Sequence, residues 1–359
     1  MRGINPKYLD KLDEAQRKTI LTAPGKFFAD SFIFVKGEHA YIVGPTGSGK
    51  TNKGMGLVNW LKHTETIIWF SSGKDNEIIP LLFMGLPVRI ITPKYHDVKI
   101  YKGYELYENQ PEVVQVPDAG SAWWAAKKGH INIFEFRNAF WDKSALVEWV
   151  VESFTTLATW TRLNMMPHLG PVALFIDESK YVIAGTRITK DGTRSKASEI
   201  ITENAMDIRA YGYRLIIFAQ DFTDVPPAIR ENIPCTILCA GAIVDGSSKL
   251  RHHCTPRIPG HKSTTKYKRY EAKFVNRQGQ AIPDRGPVKW PLFPKDPEDY
   301  ELSRKLRVKD IGFHDRPPKE AESEEELFPE LGRFSHLAIS PEKTPAPKHN
   351  RWQVVENAE

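Results

Sequence analysis

The segment from Gly44 to Thr51 reads GPTGSGKT, and it constrains the fold more than any other part of the sequence. It matches the Walker A pattern G-x-x-x-x-G-K-[ST], in which glycine-rich backbone turns its N–H groups toward a phosphate. The apolar run Ala40–Val43 before it predicts a strand, and Thr51–His63 after it predicts a helix. The strand, the loop and the helix together predict a phosphate-binding loop, and they argue against a chance match in a glycine-rich turn.

Short apolar runs recur along the 359-residue chain and alternate with segments of helical periodicity. Strands that are apolar on both faces are typical of a parallel sheet that is covered on both sides. The sequence therefore predicts an α/β fold of the P-loop NTPase (RecA-like) class, a mostly parallel sheet with helices on both faces. The other predicted strands are Thr66–Phe70, Val88–Ile91, Ile131–Phe136, Val172–Ile176, Leu215–Phe218 and Thr236–Cys239, and the other long helices are Lys143–Leu163 and Ser198–Tyr211.

The predicted loop offers several contacts to a nucleoside triphosphate. Backbone N–H groups cradle the phosphates, and the positive end of the following helix adds to the attraction. The ammonium of Lys50 reaches the β- and γ-phosphates, and the hydroxyl of Thr51 binds Mg²⁺. We therefore expect ATP and Mg²⁺ as cofactors. The residues of the loop are Gly44, Pro45, Thr46, Gly47, Ser48, Gly49, Lys50 and Thr51.

Two later strands end in polar residues at the carboxyl edge of the sheet, where ligands bind in such folds. Val172–Ser179 reads VALFIDES, in which Asp177 is a candidate to hold Mg²⁺ and Glu178 to polarise the attacking water. An acid pair that only caps the next helix is the alternative. Leu215–Asp221 reads LIIFAQD, in which the amide of Gln220 can contact the γ-phosphate and the water. A glutamine that only caps the strand end is the alternative.

These motifs, together with the stretch RAYGYRLIIFAQD from Arg209 to Asp221, resemble the FtsK/HerA superfamily of DNA-pumping ATPases. The chain looks most like the genome-packaging ATPases of membrane-containing icosahedral viruses, over about residues 38–295. The resemblance implies that Gln220 is a sensor glutamine and that Lys50 takes a catalytic role.

The same resemblance implies a ring of subunits, often a hexamer, in which an arginine of one subunit completes the site of the next. Such an arginine stabilises the charge of the transition state. Arg209 and Arg230 are the candidates because both lie near the sensor strand in the sequence. A surface position on a helix is the alternative for each of them.

The resemblance and the composition predict the domain organisation. We expect an N-terminal extension over residues 1–37 and a P-loop ATPase motor domain over residues 38–295, with an irregular insertion at residues 95–121. Residues 296–359 are expected to form a polar, acidic, proline-containing tail that is largely disordered. Residues 314–359 carry 10 acids and 6 bases, so the net charge of +6 leaves +10 for the rest of the chain.

Two basic segments that follow the predicted site strands are candidates for contacts with DNA. Phosphate contacts need only charge and carry no sequence specificity, which suits a motor that moves along any sequence. Solvated loops with ordinary surface charge are the alternative. The candidates are Lys180, Arg187, Lys190, Arg194 and Lys196 in the first segment and Lys262, Lys266, Lys268 and Arg269 in the second.

The motifs favour an ATP-driven translocase of double-stranded DNA that packages a viral genome into a procapsid. A P-loop ATPase for phage assembly, extrusion, conjugation or secretion is one alternative, and a nucleotide-dependent interaction scaffold is another. A capsid or membrane-vertex protein is the candidate partner of the tail. No apolar run approaches about 18 residues and the N-terminus has no apolar signal core, so we expect no transmembrane segment and a location in the host cytoplasm or with the virion.

Overall fold

The structure is a computed structural model that describes residues 10, 12–71, 73–136, 143–177, 179, 192–245, 250, 255–258, 261–263, 268, 271–282 and 288–311. Its helices are α1 Glu14–Leu21, α2 Ala23–Phe28, α3 Lys50–Leu61, α4 Asp75–Leu82, α5 Ser121–Ala125, α6 Lys143–Arg162, α7 Gly192–Ala210, α8 Pro227–Asn232 and α9 Pro297–Ser303. A π-helical turn, Ala29–Ile33, follows α2, and a 3₁₀ turn covers Phe222–Asp224. None of the helices in these ranges is long and apolar enough to cross a membrane.

The strands in chain order are β1 Ala40–Val43, β2 Thr66–Phe70, β3 Val88–Pro93, β4 Asp97–Lys102, β5 Glu105–Leu106, β6 Glu112–Val116, β7 Ile131–Phe134, β8 Val172–Ile176, β9 Tyr213–Ala219, β10 Cys235–Cys239, β11 Ile243–Asp245, β12 Thr255–Ile258, β13 His261–Ser263, β14 Glu271–Val275, β15 Ala281–Ile282, β16 Val288–Lys289 and β17 Leu306–Ile311. The main sheet has the order β15-β14-β10-β1-β9-β8-β2-β7-β3-β6, and β16 also pairs with β14. The strands from β10 to β6 in this order are parallel, and β14 is antiparallel to β10. The predicted α/β fold with a mostly parallel sheet is confirmed.

Helices cover both faces of this sheet because its strands are apolar on both sides. Every residue of β1, β2, β8, β9 and β10 is buried. On one face, the rings of Trp69 and Phe175 stack with centroids 5.1 Å apart, in the same core as the apolar side of α3. On the other face, Phe70 packs against Trp123 of α5 and Phe154 of α6. The predicted helices on both faces are therefore also confirmed.

Residues 95–121, which were expected to be irregular, contain three strands. β4 alternates between more and less buried positions, with Val98 and Ile100 fully buried. It pairs with β17 and β5 in a small antiparallel sheet, β17-β4-β5. β6 joins the edge of the main sheet, parallel to β3. β4 has no continuous apolar run like those of the predicted strands, although its alternation is itself typical of a half-buried strand.

Residues 296–311, which were expected to belong to a disordered tail, form α9 and β17. The side chain of Asp296 caps α9 by accepting from the backbone N–H of Glu298 and Asp299 at 2.8 and 3.3 Å. All six residues of β17 pair with β4, and Leu306 is fully buried. The predicted boundary is too early because both elements are rich in polar residues. The rest of the predicted tail, residues 312–359, lies outside the described residues.

Arg214 holds the amino end of β9 from inside the protein. Its side chain is fully buried, and its Nη2 lies 2.7 Å from Oε1 of Glu65. The guanidinium also donates to the backbone carbonyls of Phe32, Glu38 and Val35 at 2.9, 3.0 and 3.1 Å. These bonds attach the N-terminal segment to the sheet.

Replacing Arg214 by alanine should lower the free energy of unfolding by about 3–5 kcal/mol, because the buried carboxylate of Glu65 would lose its partner. Arg162→Ala is the control, since Arg162 pairs with Asp207 at 2.6 Å but its side chain is 53% exposed. Exposed pairs contribute about 0–1 kcal/mol. Urea denaturation followed by tryptophan fluorescence measures both variants, and equal losses would contradict an anchoring role for Arg214.

His39, directly before β1, is hydrogen-bonded to β9 and to α7 at the same end of the sheet. Its Nδ1 accepts from the N–H of Leu215 in β9 at 3.0 Å, and its Nε2 donates to the carbonyl of Ala205 in α7 at 2.8 Å. A ring that accepts at one nitrogen and donates at the other is neutral. Burial is the main cause that lowers the pKa of His39 to about 4, and the nearby charges of Arg209 and Arg214 contribute to this lowering.

We therefore expect His39 to make the stability depend on pH. In the unfolded chain the imidazole takes up a proton below its ordinary pKa of about 6.5, whereas the folded protein binds it only below about pH 4. The contribution is complete above about pH 6.5, and about 2 kcal/mol of it should be lost between about pH 7 and about pH 5. The difference in unfolding free energy between the wild-type protein and His39→Gln should shrink by that amount, and urea denaturation that finds a constant difference would contradict this.

Candidate nucleotide-binding site

The segment Gly44–Thr51 forms a loop between β1 and α3. Gly47 and Gly49 have φ angles of 79° and 85°, which residues with a Cβ rarely adopt. The N–H of Gly44 donates to the carbonyl of Ala219 at the end of β9, at 3.2 Å. The backbone conformation therefore requires glycine at positions 47 and 49, and the neighbouring strand holds the start of the loop.

Two lysines of α3 contact the loop. The Nζ of Lys50 donates to the carbonyls of Gly44 and Pro45 at 2.6 and 3.2 Å. Lys53 is fully buried, and its Nζ donates to the carbonyl of Ser48 at 3.3 Å. Burial lowers the pKa of Lys53. Lys50, which is only partly buried, is therefore the ammonium that a phosphate can reach, while Lys53 supports the loop from the core.

The carboxyl ends of β1, β8 and β9 bring the predicted site residues to one cavity. β9 lies between β1 and β8 in the sheet, so the three strand ends are adjacent. The cavity has a volume of about 770 Å³, which suits a ligand the size of a nucleotide. Of the loop, Gly44, Pro45 and Ser48 do not line it. The predicted residues that do line it are Thr46, Gly47, Gly49, Lys50, Thr51, Asp177 and Gln220.

Hydrogen bonds from their backbone N–H groups hold Asp177 and Gln220 at this edge. Asp177 is 7% exposed, and its N–H donates to the carbonyl of Phe70 at the end of β2, at 3.3 Å. The N–H of Gln220 donates to Oδ2 of Asp224 at 3.0 Å, and the N–H of Asp221 donates to the same oxygen at 2.8 Å. The carboxylate of Asp224 thus fixes the turn that follows β9, and Gln220 lines the cavity from that turn.

Magnesium fits the oxygen donors of the cavity. Thr51 and Asp177 both line it, and hydroxyl and carboxylate oxygens are ligands that Mg²⁺ prefers. Mg²⁺ in nucleotide sites uses one or two protein ligands and takes the rest from phosphates and water. Within the described part of the chain, no cluster of three or more His, Cys, Asp or Glu side chains offers an alternative metal site.

The two candidate arginines lie at opposite ends of β9. Arg209 is near the end of α7, on the amino side of β9, and its Nη2 pairs with the carboxylate of Glu38, which precedes β1. The side chain of Glu38 is 4% exposed and also lies 3.4 Å from Arg277. Arg230 lies in α8, beyond the carboxyl end of β9, with its guanidinium 4.2 Å from the ring centroid of Phe222. Neither Arg209 nor Arg230 lines the cavity.

Most of the predicted DNA contacts, and Glu178, have no described side chain. Glu178, Lys180, Arg187, Lys190, Lys266 and Arg269 lie outside the described residues. Arg194 and Lys196 belong to α7 and Lys262 to β13, and only the backbone is described at these three positions. Lys268 is exposed, and its N–H donates to Oε2 of Glu271 at 2.6 Å. The roles predicted for these residues stay predictions.

One wall of the cavity was not indicated by the sequence. It comes from residues 292–307, here called the C-terminal wall, and from α4 with the preceding Lys74. Nδ2 of Asn52 donates to the carbonyl of Pro291 at 2.7 Å, although the two residues are 239 positions apart. No local pattern signals a contact of that separation. The lining residues from these two segments are Lys74, Asp75, Ile79, Pro80, Leu292, Phe293, Tyr300, Ser303, Arg304, Leu306 and Arg307.

No protein-family model and no curated protein sequence matches the chain. Among solved structures, the chain is similar to the genome packaging NTPase B204 from Sulfolobus turreted icosahedral virus 2 in complex with ATP-gammaS, with a TM-score of 0.34 and 12% identity, covering 68% of this chain and 94% of that one. It is also similar to EssC (ATPases 2 and 3) from Geobacillus thermodenitrificans, with a TM-score of 0.36 and 12% identity, covering 76% and 43%. A third is the pCW3 conjugation coupling protein TcpA, with a TM-score of 0.33 and 16% identity, covering 75% and 65%. These likenesses are distant, and the strand order and loop of this chain define its fold by themselves.

Replacing Lys50 by alanine should weaken the binding of ATP by about a hundredfold, because the phosphates lose a charged donor in a partly buried site. The melting temperature without nucleotide should stay close to that of the wild-type protein, since Lys50 is only partly buried. Lys18→Ala is the control, because Lys18 is 75% exposed and pairs with Glu14 on α1. Isothermal titration calorimetry with ATP and Mg²⁺ measures both, and wild-type affinity in Lys50→Ala would contradict the assignment of the loop.

Proposed function

We propose that the chain is a P-loop ATPase of the FtsK/HerA type that uses ATP hydrolysis to translocate double-stranded DNA. The observation that carries the proposal is that the loop, Asp177 and Gln220 line one cavity from three adjacent strands. A site that only binds phosphate does not need polar residues at the ends of both β8 and β9. The specific activity we propose is packaging of a viral genome into a procapsid. It is proposed because the stretch Arg209–Asp221, which follows GPTGSGKT and VALFIDES, resembles that of genome-packaging ATPases.

Each group has a role in the proposed hydrolysis. The loop N–H groups and the ammonium of Lys50 bind the β- and γ-phosphates and stabilise the charge that develops there. Glu178 polarises the attacking water, and the amide of Gln220 orients that water against the γ-phosphate. Mg²⁺, held by Thr51 and Asp177 when it is bound with the nucleotide, would neutralise charge on the β- and γ-phosphate oxygens.

A chain of contacts joins the loop to the second basic segment, the proposed DNA contact, and supports coupling between the two. The turn after β10 approaches the loop so closely that a Cβ on Gly241 would lie 3.0 Å from Cγ of Pro45. β11 follows this turn and packs against the 3₁₀ turn Phe222–Asp224, next to Gln220. β11 belongs to a small sheet of order β11-β13-β12, and Lys262 lies in β13. A change at the loop or at Gln220 can therefore reach the strand of a proposed phosphate contact.

We further propose a homo-oligomeric ring, a hexamer by resemblance, in which Arg230 completes the site of the neighbouring subunit. Arg209 is paired with the buried Glu38 at the amino ends of the strands. Arg230 lies beyond the carboxyl end of β9, and the phosphate-binding loop lies at the same ends of the strands. Residues 312–359 would recruit a capsid or membrane-vertex protein in the host cytoplasm or in the virion. The net charge of +6 favours a polyanionic cargo.

Steady-state ATP hydrolysis by the full chain tests this proposal. Long double-stranded DNA should stimulate the rate several-fold at low salt, and the stimulation should fade as salt rises, because phosphate contacts release counterions from DNA. Glu178→Gln should abolish turnover and retain ATP binding, since the amide cannot act as a base. Glu203→Gln is the matched control, because Glu203 is exposed on α7.

The outcomes separate the three functions. A basal rate that is indifferent to DNA of any length or form would contradict DNA translocation and favour a protein cargo. The Glu178→Gln protein could bind ATP without turnover and still be fully active in assembly. That result would identify a nucleotide-dependent scaffold. Unchanged turnover in Glu178→Gln would contradict the role given to this carboxylate.

A further inference from the structure

We propose that the C-terminal wall and α4 form the site for the nucleoside of the bound triphosphate, its base and its ribose. This inference rests on the nucleotide binding proposed above and adds contacts that a bare triphosphate would not make. The observation that carries it is that Leu292 and Tyr300 line the same cavity as the phosphate-binding loop.

The two sides of the cavity differ in chemistry. The loop side offers backbone N–H groups, an ammonium, a hydroxyl, a carboxylate and an amide. The C-terminal wall and α4 offer Ile79, Leu292 and Tyr300, of which Leu292 is 37% exposed. The same lining also contains the charged Lys74, Asp75 and Arg307. A base has flat apolar faces, and sites for such ligands are mostly apolar with a few polar groups. Ser303 and Arg304, next to the end of α9, supply those polar groups.

The direction of the ligand agrees with this division. The loop backbone binds the α- and β-phosphates, and Lys50 reaches the β- and γ-phosphates. Asp177 and Gln220, at the ends of β8 and β9, mark the γ-phosphate end of the cavity. The nucleoside therefore leaves the loop away from these residues, and the C-terminal wall, which Asn52 holds, is the lining that remains for it.

Asn52 fixes the wall to the helix that carries Thr51. Its Nδ2 donates to the carbonyl of Pro291 at 2.7 Å, and its Oδ1 accepts from the N–H of Phe293 at 2.9 Å. A Cβ on Gly56 would lie 2.9 Å from the ring of Trp290, so the approach of this segment to α3 requires a glycine there. The wall and the loop are therefore attached to the same helix.

Asp75 fixes the other end of the wall to α4. Its Oδ1 accepts from the N–H of Val308 at 2.9 Å, and its Oδ2 lies 3.8 Å from Nε of Arg307. β17 continues from there and pairs along its whole length with β4. The nucleoside site is thus formed in advance, and binding needs little ordering of the chain.

Two probes separate the nucleoside from the phosphates: ATPγS and inorganic tripolyphosphate, each titrated with Mg²⁺ into the full chain in a calorimeter. Tyr300→Ala should weaken ATPγS binding by about fivefold to a hundredfold, the range for the loss of one base–aromatic contact. Tripolyphosphate binding should not change. Tyr300→Phe keeps the ring and should restore the affinity for ATPγS. Tyr104→Ala is the matched control, because Tyr104 is 99% exposed between β4 and β5, and it should change neither affinity.

Leu292→Ala removes an exposed side chain and should weaken ATPγS binding alone, with no risk to the core. Unchanged ATPγS affinity in both Tyr300→Ala and Leu292→Ala would overturn the nucleoside site. Equal weakening of both probes would also overturn it, because the wall would then act through the loop. Wild-type protein that binds tripolyphosphate as tightly as ATPγS would overturn this inference alone, and wild-type protein that binds neither probe would overturn the proposed function as well.

Discussion

The pairing of β9 with both β1 and β8 is the constraint on which the candidate site depends. The last residue of β9 lies opposite the last residue of β1, and Ile217 lies opposite Ile176. Gln220 therefore leaves the sheet level with the start of the loop and about two residues, or about 7 Å, beyond Asp177. A slip of one residue would turn every side chain of β9 to the other face. Because helices close both faces, the apolar packing of the strand sets the position of the polar residues at its end.

The amino end of β9 is held by a polar network. A buried ion pair such as Arg214 with Glu65 loses much of its attraction to desolvation, and an apolar replacement of the whole pair is often as stable. The pair contributes position: its hydrogen bonds reach the carbonyls of Phe32 and Glu38, and those of His39 reach α7. Segments that are distant in the sequence meet at this point. The network therefore favours this arrangement of β9 among its neighbours.

The loop and the strands of the site could be predicted because their signals are local. β2 and β8 begin and end where their apolar runs do, and Asp177 follows its strand directly. The C-terminal wall could not be predicted, because Tyr300 lies in the polar segment PEDYELS, whose composition is that of an exposed tail. Its place at the cavity depends on Asn52, which gives no sign in the sequence of pairing with residues near position 291. Likewise, only the fold shows that Arg209 is paired with a buried carboxylate.

The loop has packed neighbours on two sides, and this bears on how the proposed motor would work. The turn at Gly241 meets Pro45 of the loop, and Asn52, directly after the loop, holds the C-terminal wall. A shift of the loop at Pro45 or of the helix start at Asn52 can therefore be passed to the turn or to the wall. In the proposed motor, the γ-phosphate would then act on the small sheet that carries Lys262 and on the nucleoside site through contacts within one chain. Coupling of ATP to cargo would need no separate sensing domain between them.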